Sequence, residues 1–368
     1  MKSSNTLAPL RYLTEQDAAF HKALMQQARC YLEGKKDHRY ANQRIFIKNA
    51  LVLTLCVLCY VLSLNQHSIW LFALFYFGFM CAAMFLNINV LHDASHNAFF
   101  KSRRLNWLAC RLVTLPLGID ADYWRVRHVD YHHLYPNIEH YDLDSEENGV
   151  IRQMPFQKWY PHMRYQYYYW PVVAALSLPY IAWIFDWSDR LDKTPLAERK
   201  ILVNLKGWLI FLSSKVLHFV VVLIIPMLFL TQNISLGAIF AVYFVSQMVA
   251  SLGVVFLLLG THWAETEFYQ APVDGKMPQG WYAHNFATAC DWQPSISAMN
   301  GLFGGLNLHL THHLFPNWNH RHYADLAKIV ARLAEEHGYH YRCIGYKELL
   351  KEQKTFLTRM GQQPKILD

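Results

Sequence analysis

Four long apolar runs organise the chain, at 45–64, 68–90, 215–231 and 235–259. A bilayer-spanning helix takes about 20 apolar residues, or about 17 at the short limit. The third run sits near that limit and opens on Lys215, whose long stem can carry its charge to a surface. A fifth run, 170–187, has Trp at both ends and is interrupted by Pro171 and Pro179. That pattern predicts a helix lying in the membrane interface rather than crossing it.

Polar positions between the runs set the sidedness. The links after the first and third runs, 65–67 and 232–234, carry no Lys or Arg. Cations crowd the other flanks: Lys35, Lys36, Arg39 and Arg44; Lys101, Arg103, Arg104 and Arg111; Arg190, Lys193, Arg199, Lys200 and Lys206. The positive-inside rule then places both termini and the 91–214 segment in the cytoplasm. The expected architecture is an all-α integral membrane protein, with about four transmembrane helices in two hairpins and a cytosolic helical cap. Its divisions are a cytosolic N-terminal segment 1–44, a membrane domain 45–335 and a cytosolic tail 336–368. Polar, charged residues in 1–44 give no reason to expect a cleavable signal peptide.

Composition agrees. Hydrophobic residues make up 53% and charged residues 17%, against roughly 25% charged in a soluble domain. The net charge of +7 suits an anionic membrane surface or an acidic partner, and no basic block argues for nucleic acid. Seven cysteines are scattered without a disulfide framework. Cys56 and Cys59 form a C-x-x-C inside an apolar run, where thiols stay protonated and serve as small hydrophobes.

Candidate chemistry lies in the histidines, of which there are 20. Three clusters stand out: His92 and His96; His128, His132 and His133; His309, His312 and His313. Spacings of three or four residues bring imidazoles to one helical face. The eight imidazoles exceed the four that one tetrahedral ion takes, so they point to two ions. Each cluster follows an apolar run on the cytoplasmic side. His262, at the exit of the fourth run, is a candidate ninth ligand. The clusters can meet only if an even number of spans lies between His133 and His262, which again makes 170–187 interfacial. Imidazole suits Fe, Zn, Cu and Ni alike. No H-E-x-x-H is present, and no Gly-rich nucleotide loop. His38, His67, His140, His162, His337 and His340 read as structural.

In order and spacing the clusters match H-x-x-x-H, H-x-x-x-H-H and H-x-x-H-H, and the sequence resembles the membrane fatty acid desaturases. Stretches 92–100, 124–137, 157–166, 283–292 and 304–323 resemble a bacterial branch related to front-end and linoleoyl-CoA-type enzymes, without a fused cytochrome b5 domain. The resemblance implies a di-iron (Fe2+) centre held by the eight clustered histidines and His262. It also implies molecular oxygen, an acyl-chain substrate and a separate ferredoxin or cytochrome b5 type electron donor. His284 matches a family histidine near the site, as ligand or second sphere; His320 and His322 match too, with helix-entry and packing roles. Arg103, Arg104, Arg125 and Arg127 are candidate contacts for the donor or for lipid headgroups. His309 and Thr311 depart from the front-end pattern, which has Gln and usually Glu there, and this leaves the position of the new double bond open. The acyl carrier (CoA, acyl carrier protein or lipid) is open as well. A membrane hydroxylase, acetylenase or ketolase is the alternative activity, and a metal transporter or sensor a remoter one. The expected location is the bacterial inner membrane, with the active site on the cytoplasmic side.

Overall fold

A computed structural model describes residues 8–191, 193–194, 204–258, 260–294 and 301–363, and its regular structure is almost wholly helical. The flanking cations Arg199 and Lys200, residue 259 of the fourth run and the last tail residues, 364–368, lie outside the described residues.

Five helices are long and apolar enough to cross a membrane: Gln43–Leu64, Ile69–Ser95, Pro161–Arg190, Leu205–Leu230 and Leu236–Leu257. Three differ from the expected bounds in ways that matter. The second does not stop near Val90. It passes through a π-helical turn, Asn87–Leu91, into His92–Ser95, so the first histidine pair rides on the same rod. Widening a turn loosens the carbonyl ladder, and side-chain amides fill in: Asn87 donates to Ala83 O at 2.8 Å and Asn89 to Phe85 O at 2.9 Å.

The apolar run 170–187 belongs to a longer helix, in which Pro171 and Pro179 are accommodated. Ser251 makes the repair: its hydroxyl accepts from the Leu178 amide at 3.1 Å and donates to the Ala174 carbonyl at 2.6 Å.

The fourth helix starts at Leu205, well ahead of Lys215. Lys215 therefore does not snorkel as expected. Its ammonium points inward and donates to Gly118 O (2.5 Å), Ala182 O (2.7 Å) and the Asp186 carboxylate (2.8 Å). Beside it, buried Arg190 pairs with Asp120 at 2.9 Å and lies between the rings of Tyr123 and Phe211. Charges taken out of water need such partners.

Contacts divide the chain into two units, one of 41–126 with 171–255 and one of 8–40, 127–170 and 256–363. The second unit takes in 8–40 of the N-terminal segment and 336–363 of the tail that the sequence set apart. Helix Thr14–Lys35 contributes Phe20 and Leu24 to a core with Phe286, Leu310, Leu326 and Val330. The Asp17 carboxylate accepts from the Tyr282 amide at 2.7 Å, capping helix Trp281–Thr288, and from the Tyr339 hydroxyl at 2.8 Å. Gly280 is needed there, because a Cβ would come within 2.3 Å of that carboxylate. Asp37 receives both Arg321 Nη1 (2.6 Å) and Nη2 (2.8 Å). At the C-terminal end, Cys343–Gly345 pairs in parallel with Asp291–Gln293, and helix Tyr346–Gly361 follows.

Candidate metal centre

The second histidine cluster sits in a π-helical segment, Val126–His132, closed by His133 N–H donating to His128 O at 3.0 Å. In an ordinary α-helix the fifth residue on would turn away from the first. The i→i+5 pattern widens each turn and brings residues four and five apart to opposite sides of the first. His128, His132 and His133 thereby address one region. The third cluster is the short helix His309–Leu314, fully buried. His262 follows the last long helix.

Within the second unit these elements bring together His132, His262, His309 and His313, all buried, with one ring nitrogen of each within 4.8 Å of the others. His262 Nε2 lies 2.7 Å from His309 Nε2, which lies 3.2 Å from His313 Nε2. A second group adjoins it: His133 Nε2 is 2.8 Å from His312 Nε2 and 3.2 Å from His128 Nε2.

The outward nitrogens say what these contacts are. His132 Nδ1–H donates to Asp142 at 3.0 Å, His262 Nδ1–H to Thr288 O at 2.9 Å, and His313 Nδ1–H to Asn285 Oδ1 at 2.9 Å. His312 Nδ1–H donates to the Tyr323 hydroxyl at 2.8 Å, which passes its own proton to Trp318 O at 2.9 Å. A neutral imidazole with its proton committed outward presents only a lone pair at Nε2. His262, His313 and His312 thus turn lone pairs toward His309 and His133 at 2.7–3.2 Å, and a cation among these rings gives the lone pairs a common partner. Nitrogens about 2.0–2.1 Å from a common ion fall roughly 3 Å apart at right angles. The donor set therefore fits metal ions, with each outer partner fixing tautomer and ring direction.

Electrostatics agree. Burial, with His132 nearby, pushes His262 down to about 3, and burial among other imidazoles holds His313 well below its usual range. Both stay neutral, as ligands must. His132 differs: burial opposes its protonation, but the Asp142 carboxylate prevails and raises it to about 9.

The helix under the third cluster is pinned at its start by Asp291, which accepts from Thr311 N (3.1 Å), Thr311 Oγ1 (2.5 Å) and Tyr341 OH (2.8 Å). Gly305, at φ +73°, lets Tyr323 close in; a Cβ would stand 2.5 Å from its ring.

The remaining expected residues sort as follows. His92 and His96, in the first unit, are buried with rings 5.4 Å apart. His284 has both nitrogens engaged, donating from Nε2 to Pro136 O at 2.8 Å and accepting from Gln279 at 3.3 Å. It is packed against Tyr12 and Tyr269 and steadies the chain just past the second cluster. His322 donates to His38 O at 3.0 Å and touches Tyr31, and His320 is buried beside it. Arg103 and Arg104 are exposed. Arg125, partly exposed, donates to Ser95 O at 3.0 Å, and Arg127 is buried at 5% exposure. Asp142, Asn285, Tyr323 and Asp291 were not foreseen; each lies far from its histidine partner or gives no local pattern.

Apolar helices of spanning length together with buried clusters of metal-ready imidazoles define the class of a membrane protein with a histidine-built metal centre. The family model described as fatty acid desaturase matches residues 68–345, and the chain belongs to that family as a fatty acyl desaturase. It is similar to the sn-1 linoleoyl-lipid 6-desaturase of Arthrospira platensis, 29% identical over 331 residues covering 88% of this chain and 87% of that one. A protein of the same description from Synechocystis sp. is 26% identical, covering 94% of this chain and 97% of its own. The acyl-lipid (8-3)-desaturase of Physcomitrium patens is 26% identical, covering 89% and 68%.

Proposed function

We propose that this chain introduces a double bond into the acyl chain of a membrane lipid, using molecular oxygen and two iron ions held by nine histidines. One ion takes His132, His262, His309 and His313. The other takes His128, His133 and His312, with His92 and His96 as the remaining imidazole pair. The observation that carries the reading is the set of Nε2 atoms facing one another at 2.7–3.2 Å, with the Nδ1 protons of His262, His312 and His313 committed outward. The lipid-linked substrate is supported by the names of the relatives, all three acyl-lipid or linoleoyl-lipid enzymes.

Iron, when bound, supplies the reduction of oxygen needed to break an unactivated C–H bond. The chain's residues do the rest. Thr288 O, Asn285 and Tyr323 hold three rings in one tautomer, and Asp142 adds a negative charge behind a fourth. Burial of all nine histidines, none more than 8% exposed, keeps bulk water from the reaction.

In the membrane, Gln43–Leu64 with Ile69–Ser95, and Leu205–Leu230 with Leu236–Leu257, cross as two hairpins, while Pro161–Arg190 lies along the cytoplasmic surface. Its mean hydropathy of 1.3, against 2.0–2.3 for the others, supports that division. So does parity, since His133 and His262 must share a side.

Expression in a host with simple lipids tests the function. Lipid mass spectrometry should show an oxygen-dependent loss of two hydrogens from an esterified chain, and purified protein should hold close to two irons. A hydroxylated product, or stoichiometric zinc without iron, overturns the reading.

A further inference from the structure

Desaturation is short of electrons. Forming –CH=CH– from –CH2–CH2– releases two electrons and two protons, while reducing O2 to two waters takes four of each. The balance, –CH2–CH2– + O2 + 2 e− + 2 H+ → –CH=CH– + 2 H2O, leaves two electrons and two protons to come from outside. The electrons arrive one at a time from an iron–sulfur or haem protein.

We propose that the solvent face of helix Tyr346–Gly361 is the docking surface for an acidic one-electron carrier protein. This rests on the desaturase reading above. Lys347, Lys351, Lys354 and Arg359 are exposed along that face, with Glu348 the exposed acid among them. Glu352 is taken by Arg342 at 2.8 Å. Among the described residues no carboxylate pairs with any of the four cations. The adjoining turn Pro161–Tyr165 is anchored to the helix end by Trp159 Nε1 donating to Gly361 O at 2.8 Å, and it adds exposed Arg164. Lys354 stands over the Tyr167 ring at 5.2 Å, which holds its charge at the rim.

The other face of the helix leads to the metal centre. Leu349, Phe356, Leu357 and Met360 are buried. Phe356 stacks on Trp263 with ring centroids 5.6 Å apart at 20°, and on Phe268 at 5.4 Å. Trp263, 2% exposed, directly follows His262 in the chain. A carrier seated on the lysines thus lies across the helix from packed aromatic rings that end at Trp263, the chain neighbour of His262 in the four-histidine group. Positive charge uncompensated by the protein's own acids attracts an acidic surface and speeds its encounter.

The test uses the full-length enzyme in neutral detergent, with reduced plant-type [2Fe–2S] ferredoxin as the probe. Lys347→Glu, Lys351→Glu and Lys354→Glu are combined. The half-saturating ferredoxin concentration should rise about tenfold or more at low salt, with turnover at saturating ferredoxin within about twofold of wild type. The gap should close as salt shortens the screening length from ~30 Å at 0.01 M to ~3 Å at 1 M. The matching triple Lys→Arg variant should behave as wild type, and iron content should be equal in all three proteins. An unchanged ferredoxin dependence overturns the proposal. So does an effect that appears only in nanodiscs of anionic lipid and not in neutral micelles, since the face then meets membrane. Dithionite-reduced protein given one pulse of oxygen bypasses docking, and both charge variants should match wild type in double bonds formed. No double bond from dithionite-reduced wild type would instead overturn the desaturase reading itself.

Discussion

Removing the carboxylate behind His132 should loosen one iron without removing a ligand. Asp142 is 1% exposed; one oxygen accepts His132 Nδ1–H at 3.0 Å and the other the Asn137 amide at 2.9 Å. Asp142→Asn keeps the shape but turns one acceptor into a donor that faces an N–H on either side. It also strips the negative charge behind the ring. A hydrogen bond to a charged group contributes about 1.5–3 kcal/mol, and a factor of ten in affinity is about 1.4 kcal/mol. Iron binding should therefore weaken about 10–100-fold, the usual range for losing such an outer partner. The pH dependence gives a second signature. Asp142 holds the metal-free His132 at about 9, so a proton must leave before iron binds. Wild-type affinity should climb with pH up to about 9. In the variant that proton is lost at lower pH, and the climb should end sooner. The carboxylate still favours iron on balance, because a dication feels it more strongly than a proton does. Titration against graded chelator at several pH values, with thermal melts to confirm folding, measures both effects. Equal affinity within twofold and an unchanged pH profile would refute the role given to Asp142.

His284→Gln should keep both irons, since both of its nitrogens are engaged elsewhere, whereas His309→Gln should lose a large part of one; metal analysis of the two side by side decides it. Asp291, raised to about 6 by burial, binds its proton more tightly folded than unfolded, so its contribution to stability is present below about pH 4 and lost as pH rises through about 6. At 1.36 kcal/mol per unit that is at most about 3 kcal/mol; Asp291→Asn should remove this part of the slope of melting temperature against pH, and parallel slopes would count against it. A reporter fused after Gln232 should face away from the cytoplasm and one after Glu147 toward it; both on the same side would make Pro161–Arg190 a true span, and the exchanged pattern would invert the sidedness.

What the sequence could and could not show follows from where the determining contacts lie. Box spacing and apolar runs are local, and both led to the clusters and to four of the long helices. Lys215 misled because a lone cation in an apolar run looks like its boundary; the Asp186 carboxylate that lets it sit inside comes from another helix. The prolines of 170–187 look like breaks because the repair, Ser251, is distant in sequence. The second cluster was read with α-helical spacing, under which His133 points away from His128. The π-helical turn reverses that, and nothing in H-x-x-x-H-H distinguishes the two. Outer partners were illegible for the same reason: Asn285 and His313, or Thr288 and His262, meet only once the fold is made. The ligands are a pattern in one dimension. The network that keeps their protons outward and their lone pairs inward exists only in three, and that network turns clustered histidines into a place for metal.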